Sequence, residues 1–398
     1  MKEKVVLAFS GGLDTSFCAK YLSEEKGLEV HAAIVDTGGF SPADLQRIET
    51  RANELGVASF TCLNEVENFY KKCIRYMIYG NILRNQTYPL SVSAERVFQA
   101  LAIVAYAKKI GAQYIAHGST GAGNDQVRFD LVFQIAAPQM GILTPIRDLR
   151  LSREEEIAYL QQHGVSGNWE KAKYSINQGI WGTSVGGKET LTSHLPLPEE
   201  AYPSQLQTTE PQTLTLTFEK GEPVALNHES YGNSVGVIQA LNQLGSRYAI
   251  GRDIHVGDTI IGIKGRVGFE APAALMIIKA HHALEKHVLT KWQAYWKEQL
   301  ANWYGMMLHE GQYLEPLMRN IETFLEDSQR CVSGEVYVKL MPYRFEIQGI
   351  SSPHDLMASK FGQYGEMNNA WTGEDVKGFT KILGNQMKIY FQVNGGTT

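Results

Sequence analysis

The first part of the chain alternates short apolar runs with amphipathic stretches. Val5 to Phe9, Val30 to Val35, Ser59 to Leu63, Tyr114 to Ala116 and Ile142 to Pro145 have the length and content of buried strands. Between them, apolar residues recur at helical spacing over Thr15 to Glu25, Ala43 to Leu55, Val66 to Ile78 and Ala94 to Ile110. Strands alternating with helices predict an α/β domain over residues 1–165, built on a parallel sheet with helices on both faces. Ser152-Arg153-Glu154-Glu155 then reads as a capping box. Its serine hydroxyl and glutamate carboxylate each satisfy the other's backbone N–H, and the helix they open should stop at Gly164.

From Asn168 to about Pro211 the periodicity is lost among Gly, Ser, Thr and Pro, including Leu195-Pro196-Leu197-Pro198, which predicts a long ordered loop or a domain boundary. Thr213 to Phe218 alternates again, and Glu219-Lys220-Gly221-Glu222 turns it back into Pro223 to Leu226. A helix at Ser234 to Leu244 and strands around Thr259 to Ile263 follow. Long helices near Pro272 to Trp303 and Tyr313 to Leu325, then strands at Gly334 to Leu340 and Tyr343 to Ile350, complete a second, α+β domain over residues 166–365. Asp375 to Gly384 predicts a helix in a C-terminal helical tail, residues 366–398, that leaves the globule to pack on another subunit.

Composition narrows the function. At 398 residues the chain exceeds one ordinary core, so two or three domains are expected, and 43% hydrophobic with 20% charged residues is the balance of a folded protein. A formal net charge of −5 supplies no basic field to gather phosphate backbones, so nucleic acid is not expected as a main partner. Cys18, Cys62, Cys73 and Cys331 form no C-x-x-C pair and stand near no His at ligand spacing, the pattern of reduced thiols in a cytoplasmic protein without structural zinc. The run Val5 to Phe9 is too short for a signal peptide, and none approaches the roughly 18 apolar residues of a spanning helix. No membrane partner is expected.

Two glycine-rich segments carry the chemistry. Ser10-Gly11-Gly12-Leu13-Asp14-Thr15-Ser16 follows the first strand and runs into a helix. Paired glycines let the backbone approach an anion, hydroxyls add donors, and the helix N-terminus contributes free N–H groups and its positive dipole end. The segment lacks the lysine of a Walker A loop and does not fit G-x-G-x-x-G. A plain turn with Asp14 capping the helix is the alternative. The second segment, His117 to Phe129, leaves the carboxyl end of another strand, where open α/β sheets bind ligands. Thr120, Asn124, Asp125 and Arg128 offer a hydroxyl, an amide, a carboxylate and a guanidinium, a set suited to a zwitterionic amino acid. Alternatively, Asn124 or Asp125 caps a helix and Arg128 lies on a solvated face.

Ser10 to Ser16 resembles the pyrophosphate-binding loop of the N-type ATP pyrophosphatases, and Ala8 to Ser16 resembles its argininosuccinate synthase form. Gly118 to Phe129 is similar to that family's G-x-T-G-x-G-N-D-Q-x-R-F signature, departing at Ala122, where lysine is usual. Tyr88-Pro89-Leu90-Ser91-Val92-Ser93 resembles its Y-x-L-G-T-S loop, and Tyr174 to Ser184 its Y-S-x-D-x-N-L-W-G-x-S run. The resemblance implies an adenine nucleotide α-hydrolase-like first domain. It also implies a homotetrameric ligase that uses ATP and Mg²⁺ to join citrulline to aspartate through an adenylate. ATP would meet Ala8, Phe9, Ser10, Gly11, Gly12, Leu13, Asp14, Thr15, Ser16, Val35 and Gly118. Aspartate would meet Thr120, Asn124 and Asp125, and citrulline Tyr88, Ser93, Asn124, Arg128, Ser175 and Ser184. Asp14, Ser16 and Asp125 are the residues expected at the chemistry. No general base stands out, and no metal ligands are assigned.

The match weakens on the acceptor side. Gly257 and Phe269 stand where the family has a glutamate that meets the citrulline α-amino group and a tyrosine. Val92 replaces a threonine, Glu95-Arg96-Val97 an Ala-Arg-Pro, and Gly186 a glutamate. A buried ammonium without a carboxylate is costly. Either another acid, Glu95 or Asp258, takes over, or the acceptor is an N-acylated citrulline. A tRNA thiolase would call for a reactive cysteine and a basic surface. A non-catalytic nucleotide-binding regulator would have no need of Thr120, Asn124, Asp125 and Arg128.

Overall fold

The computed structural model describes residues 2–167, 169, 173–362, 364–366 and 370–396. Strands β1 (Lys4–Ala8), β2 (Glu29–Asp36), β3 (Ser59–Asn64), β4 (Tyr114–His117) and β5 (Gly141–Leu143) pair in parallel in the order β3-β2-β1-β4-β5. The helices are α1 (Leu13–Glu24), α2 (Pro42–Glu54), α3 (Val66–Phe69), a π-helical turn (Tyr70–Ile74), α4 (Arg75–Tyr79), α5 (Glu95–Ile110), α6 (Asp125–Ala136), α7 (Pro145–Leu149) and α8 (Arg153–Gln162). Side chains of β1 alternate between two cores. Val5 and Leu7 join Phe17, Leu22 and Leu160, whereas Val6 joins Phe98 and Val132. Both faces are covered, which explains why the strand reads as one apolar run. The expected run through Pro145 stops at Leu143, because Pro145 has no N–H for the ladder and instead opens α7. The capping box forms, with Ser152 N donating to Glu155 Oε2 at 2.7 Å, and Gly164 ends the turn after α8 at φ +72. Chain order reverses between β1 and β4, so a crevice opens at their carboxyl ends.

The second part contains β6 (Ser175–Gly179), β7 (Gly182–Gly186), β8 (Gln212–Glu219), β9 (Glu222–Leu226), β10 (Glu229–Ser230), α9 (Ser234–Arg247), β11 (Arg252–Asp258), β12 (Lys264–Glu270), α10 (Pro272–Val288), α11 (Lys291–His309), α12 (Pro316–Ser328), β13 (Gly334–Met341) and β14 (Arg344–Ser351). They build two antiparallel sheets, ordered β10-β9-β8-β13-β14 and β11-β12-β7-β6. Lys220 and Gly221, both at positive φ, make the predicted turn between β8 and β9.

Three expectations change. The segment Asn168 to Pro211, expected as a long ordered loop or a domain boundary, contains the β6–β7 hairpin; Asn168 and Glu170 to Ala172 lie outside the described residues. That hairpin has little apolar alternation because it is held by pairing β7 to β12, a contact invisible in its own sequence. The strands expected around Thr259 to Ile263 lie on either side of it, as β11 and β12, and the segment itself is their turn, closed by Thr259 N donating to Ile263 O at 2.8 Å with Gly262 at φ +83. The single helix expected from Pro272 to Trp303 breaks after Val288, where Thr290 and Gln293 form a capping box that starts α11.

Contacts divide the chain after Pro353, and His354–Thr398 is a separate compact unit. It holds α13 (Gly373–Leu383) and α14 (Asn385–Asn394), with α13 opened by a Thr372–Asp375 capping box. Phe379, Ile382, Ile389, Tyr390 and Val393 are exposed on these helices. Among the described residues no helix is long and apolar enough to cross a membrane.

Candidate active site

The crevice above β1 and β4 is a cavity of about 1080 Å³. Ala8 to Thr15 line one wall, and Val35, His117, Gly118, Asp125 and Asn177 contribute to the others. Gly11 sits at φ +75, a left-handed turn that glycine adopts without strain. Gly12 is the N-cap of α1 and offers no side-chain cap, so the first N–H groups of the helix stay available to a ligand. Inside the loop, Thr15 Oγ1 donates to Gly12 O at 3.3 Å and lies 3.3 Å from Ser10 Oγ, which holds the hydroxyls in place. Ser16 is fully buried behind the loop, and its Oγ has no hydrogen-bond partner among the described residues. A Cβ on Gly118 would crowd Thr15 N at 3.3 Å, so a glycine there lets the two loops approach.

Acid groups beneath the loop are perturbed. Burial pushes the Asp14 carboxyl above its ordinary value, against the pull of its backbone hydrogen bond and of Arg153. Burial, followed by the Asp14 charge, pushes Glu156 up to about 7. The second loop is fixed at its root by His117, whose Nδ1 accepts from Ser119 N at 3.2 Å. That leaves Nε2 to donate to Asp130 Oδ1 at 2.9 Å, and Arg147 Nη1 holds the other Asp130 oxygen at 2.7 Å.

Asp125 faces the cavity between two guanidiniums. Arg96 Nε donates to Oδ2 and Arg128 Nη1 to Oδ1, both at 3.0 Å. Burial pushes this carboxyl up, but Arg96 and Arg128 outweigh it and hold it below the usual carboxylate range. Arg128 is itself buried and donates through Nε and Nη2 to the His309 carbonyl at 2.9 and 2.8 Å.

The other expected residues are placed as follows. Thr120 is exposed on the second loop, and Asn124 Oδ1 accepts from Ile260 N at 2.9 Å, tying that loop to the β11–β12 turn. Tyr88 is buried, with its ring stacked on His255 at 5.2 Å and packed on Phe269 at 5.4 Å. Ser93 is buried and its Oγ, like that of Ser16, has no partner among the described residues. Ser175 is exposed on β6, and Ser184 is buried on β7 opposite Phe269. None of these six residues is among those that line the cavity, which on this side is bounded by Glu95, Arg96, Asn177 and Gln178. A Cβ on Gly257 would lie 2.6 Å from His255 Nε2, so the imidazole occupies the space a side chain at 257 would need. Asp258 is exposed and pairs with Lys264 at 2.7 Å.

Arg96, Gln99, Thr37 and Asn177 were not singled out from the sequence, although Arg96, Gln99 and Asn177 line the cavity and Thr37 bonds a carboxylate that does. The available signal was Glu95-Arg96 at the start of an otherwise apolar helix, where a charged pair has no reason to be buried unless it is paired inside.

Comparisons with known proteins agree along the whole chain. Residues 4–166 match the family described as Arginosuccinate synthase N-terminal HUP domain, and residues 174–390 match Arginosuccinate synthase C-terminal domain. The chain is 39% identical over 391 residues to the argininosuccinate synthase of Dictyoglomus turgidum, with 98% of each chain covered. It is 37% identical over 402 residues to that of Xanthomonas campestris pv. campestris and 35% over 393 residues to that of Methanocaldococcus jannaschii, again with 98% of each chain covered.

Proposed function

The chain belongs to the argininosuccinate synthase family, and on that premise we propose that its cavity joins citrulline to aspartate at the expense of ATP, releasing AMP and pyrophosphate in arginine biosynthesis. The observation that carries this reading is the single cavity shared by an uncapped helix N-terminus and the doubly held carboxylate of Asp125. The ureido oxygen of citrulline attacks the α-phosphorus, and pyrophosphate leaves toward the Gly11-Gly12 loop, where free N–H groups and the Ser10, Thr15 and Ser16 hydroxyls receive it. The aspartate amine then attacks the activated ureido carbon and AMP departs. Asp125 stays ionised between its guanidiniums, so it orients the amine and does not take its proton, which passes to a carboxylate or phosphate of the substrates. Holding three substrates in one cleft supplies most of the acceleration.

Mg²⁺ fits as an ion carried on the triphosphate. Among the described residues no three His, Cys, Asp or Glu side chains converge, as a protein cage would require, whereas Mg²⁺ on phosphates takes one or two carboxylates. Asp14 is the carboxylate at the loop that would hold it, and the ion would neutralise the leaving pyrophosphate.

Thr120 and Asn124 complete the aspartate site beside Asp125, and Tyr88, Ser93, Asn124, Arg128, Ser175 and Ser184 serve citrulline. ATP also meets Ala8, Phe9, Leu13, Val35 and Gly118. Residues 1–165 bind the nucleotide, 166–365 complete the synthetase, and the exposed apolar faces of α13 and α14 in the tail support assembly into a cytoplasmic homotetramer. The test is pyrophosphate release from Mg·ATP and aspartate with citrulline, with N-acetylcitrulline and without acceptor. Release with citrulline is expected, and silence in every arm overturns the reading.

A further inference from the structure

The cavity holds a carboxylate that the reaction above does not use. Glu95 is the first residue of α5, is 1% exposed, and stands where the family pattern has alanine. Each of its oxygens accepts one hydrogen bond within the protein. Oε2 accepts from Thr37 Oγ1 at 2.8 Å and Oε1 from Arg96 Nη1 at 2.9 Å. Thr37 follows β2, and its carbonyl accepts from Ile180 N at 3.1 Å, in the turn of the β6–β7 hairpin. Glu95 therefore sits where the nucleotide strand, the hairpin and α5 meet. A Cβ on Gly179 would run into Glu95 Oε2, so the hairpin leaves room for this carboxylate.

Arg96 carries the hold onward to Asp125 through Nε at 3.0 Å, while its Nη1 also reaches Gln99 Oε1 at 3.0 Å. Glu95, Arg96, Asp125 and Arg128 form an unbroken row of alternating charge that ends on the His309 carbonyl. Asp125 alone would draw the whole Arg96 fork toward itself, because a guanidinium pairs best with one carboxylate in a bidentate manner. Glu95 pulls from the other side and keeps Arg96 bridging. We propose that Glu95 is a positioning residue for the aspartate half of the reaction: through Arg96 it sets the carboxylate of Asp125 against which the attacking amine is oriented. This role rests on the family reading above.

The charged groups that face Glu95 are Arg96 on its own helix, Asp125 on α6 and Asp36 on β2. Burial pushes Glu95 up to about 7 against the pull of Arg96, and the two aspartates add to the rise. Below that pH the row gains one positive charge and Arg96 is released toward Asp125, so use of aspartate should change across neutrality.

The experiment compares the full-length enzyme with Glu95→Gln and Glu95→Ala, measuring kcat and KM for each substrate across the neutral range. Glutamine keeps both hydrogen bonds by turning its oxygen to Arg96 and its amide to Thr37, but it cannot titrate. The expected result is a severalfold rise in KM for aspartate in the alanine variant, with KM for ATP unchanged and partial recovery in the glutamine variant. The bend near neutrality in kcat/KM for aspartate should be present in the parent and absent in Glu95→Gln. An unchanged aspartate KM in Glu95→Ala, or the same bend in Glu95→Gln, overturns the proposal, and the second criterion stands even if the alanine variant fails to fold. A parent enzyme that releases no pyrophosphate with citrulline overturns the family reading and this role together, whereas normal turnover with no effect at Glu95 overturns the role alone.

Discussion

Replacing Ser16 by alanine should stabilise the empty protein and impair the enzyme. Ser16 lies in α1 with 0% exposure, and its Oγ has no partner among the described residues. A buried hydroxyl without a partner costs about 1–3 kcal/mol, and alanine removes that cost while leaving only an oxygen-sized gap. A net gain of about 1 kcal/mol is expected, which in a chain of this length moves the melting temperature by about 2 °C or less. On the proposed reading, ATP binding would bring a charged phosphate oxygen within reach of the same hydroxyl. The variant then forgoes about 1.5–3 kcal/mol, or roughly ten- to a hundredfold in nucleotide use. Ser93, proposed to serve citrulline, gives the crossed control, since its Oγ is likewise buried and unpaired among the described residues. Ser93→Ala should raise KM for citrulline and leave KM for ATP alone. Thermal unfolding with and without Mg·ATP, together with steady-state pyrophosphate release, reads both effects. If Ser16→Ala lowers the stability of the empty protein and leaves kcat and KM for ATP unchanged, the hydroxyl is a packing element and the reasoning fails.

Further outcomes follow from the same geometry. Arg128→Lys replaces a fork that spans the His309 carbonyl and Asp125 by a single ammonium, so kcat/KM for citrulline and aspartate should fall by roughly ten- to a hundredfold with KM for ATP unchanged; equal turnover by the lysine variant would remove the bidentate argument. In Gly39→Ala a Cβ collides with the Gln178 carbonyl, so the β6–β7 hairpin must shift off the cavity, with loss of activity and of melting temperature. Gly27→Ala, at φ +64 with open space around it, should cost only about 1–2 kcal/mol of backbone strain and spare activity. His281 is fully buried, and burial lowers its pKa to about 4. Between that value and the ordinary one near 6.5 the unfolded state binds the extra proton, so its contribution to stability falls as pH drops through this window, by up to about 3 kcal/mol. Glu95 and Glu156, both raised to about 7, contribute the opposite slope, so the check is the difference in urea midpoint between the parent and His281→Gln at neutral and at mildly acid pH. An unchanged acid slope in the variant would show that the imidazole does not titrate there.

The regular elements of the first domain, and the β8–β9 turn of the second, were legible because their signals are local. Val5 and Leu7 on one face of β1 and Val6 on the other, Ser152 and Glu155 across one helical turn, and Lys220-Gly221 between two alternating runs all state their geometry within a few residues. Where local signals misled, a distant partner had decided. Ile260, Ile261 and Ile263 have strand-forming side chains, yet they make a turn because β11 and β12 pair on either side of them. The β6–β7 hairpin looks like loop because its stability comes from β12.

The same division holds for the site. Ser10 to Ser16 and Gly118 to Asp125 stand out by residue type as candidate phosphate and amino-acid loops, since glycine conformation and helix-terminal N–H groups are properties of the local backbone, and the family resemblance supplies the choice over a plain turn or a cap. That Asp125 is clamped by Arg96 and Arg128, that Glu95 faces Thr37, and that the His255 imidazole fills the space beside Gly257 could come only from the tertiary structure. Glu95–Thr37 and Arg96–Asp125 join residues on different elements, and a carboxylate's charge state and orientation are set by whichever groups the folded chain carries to within about 3 Å of it.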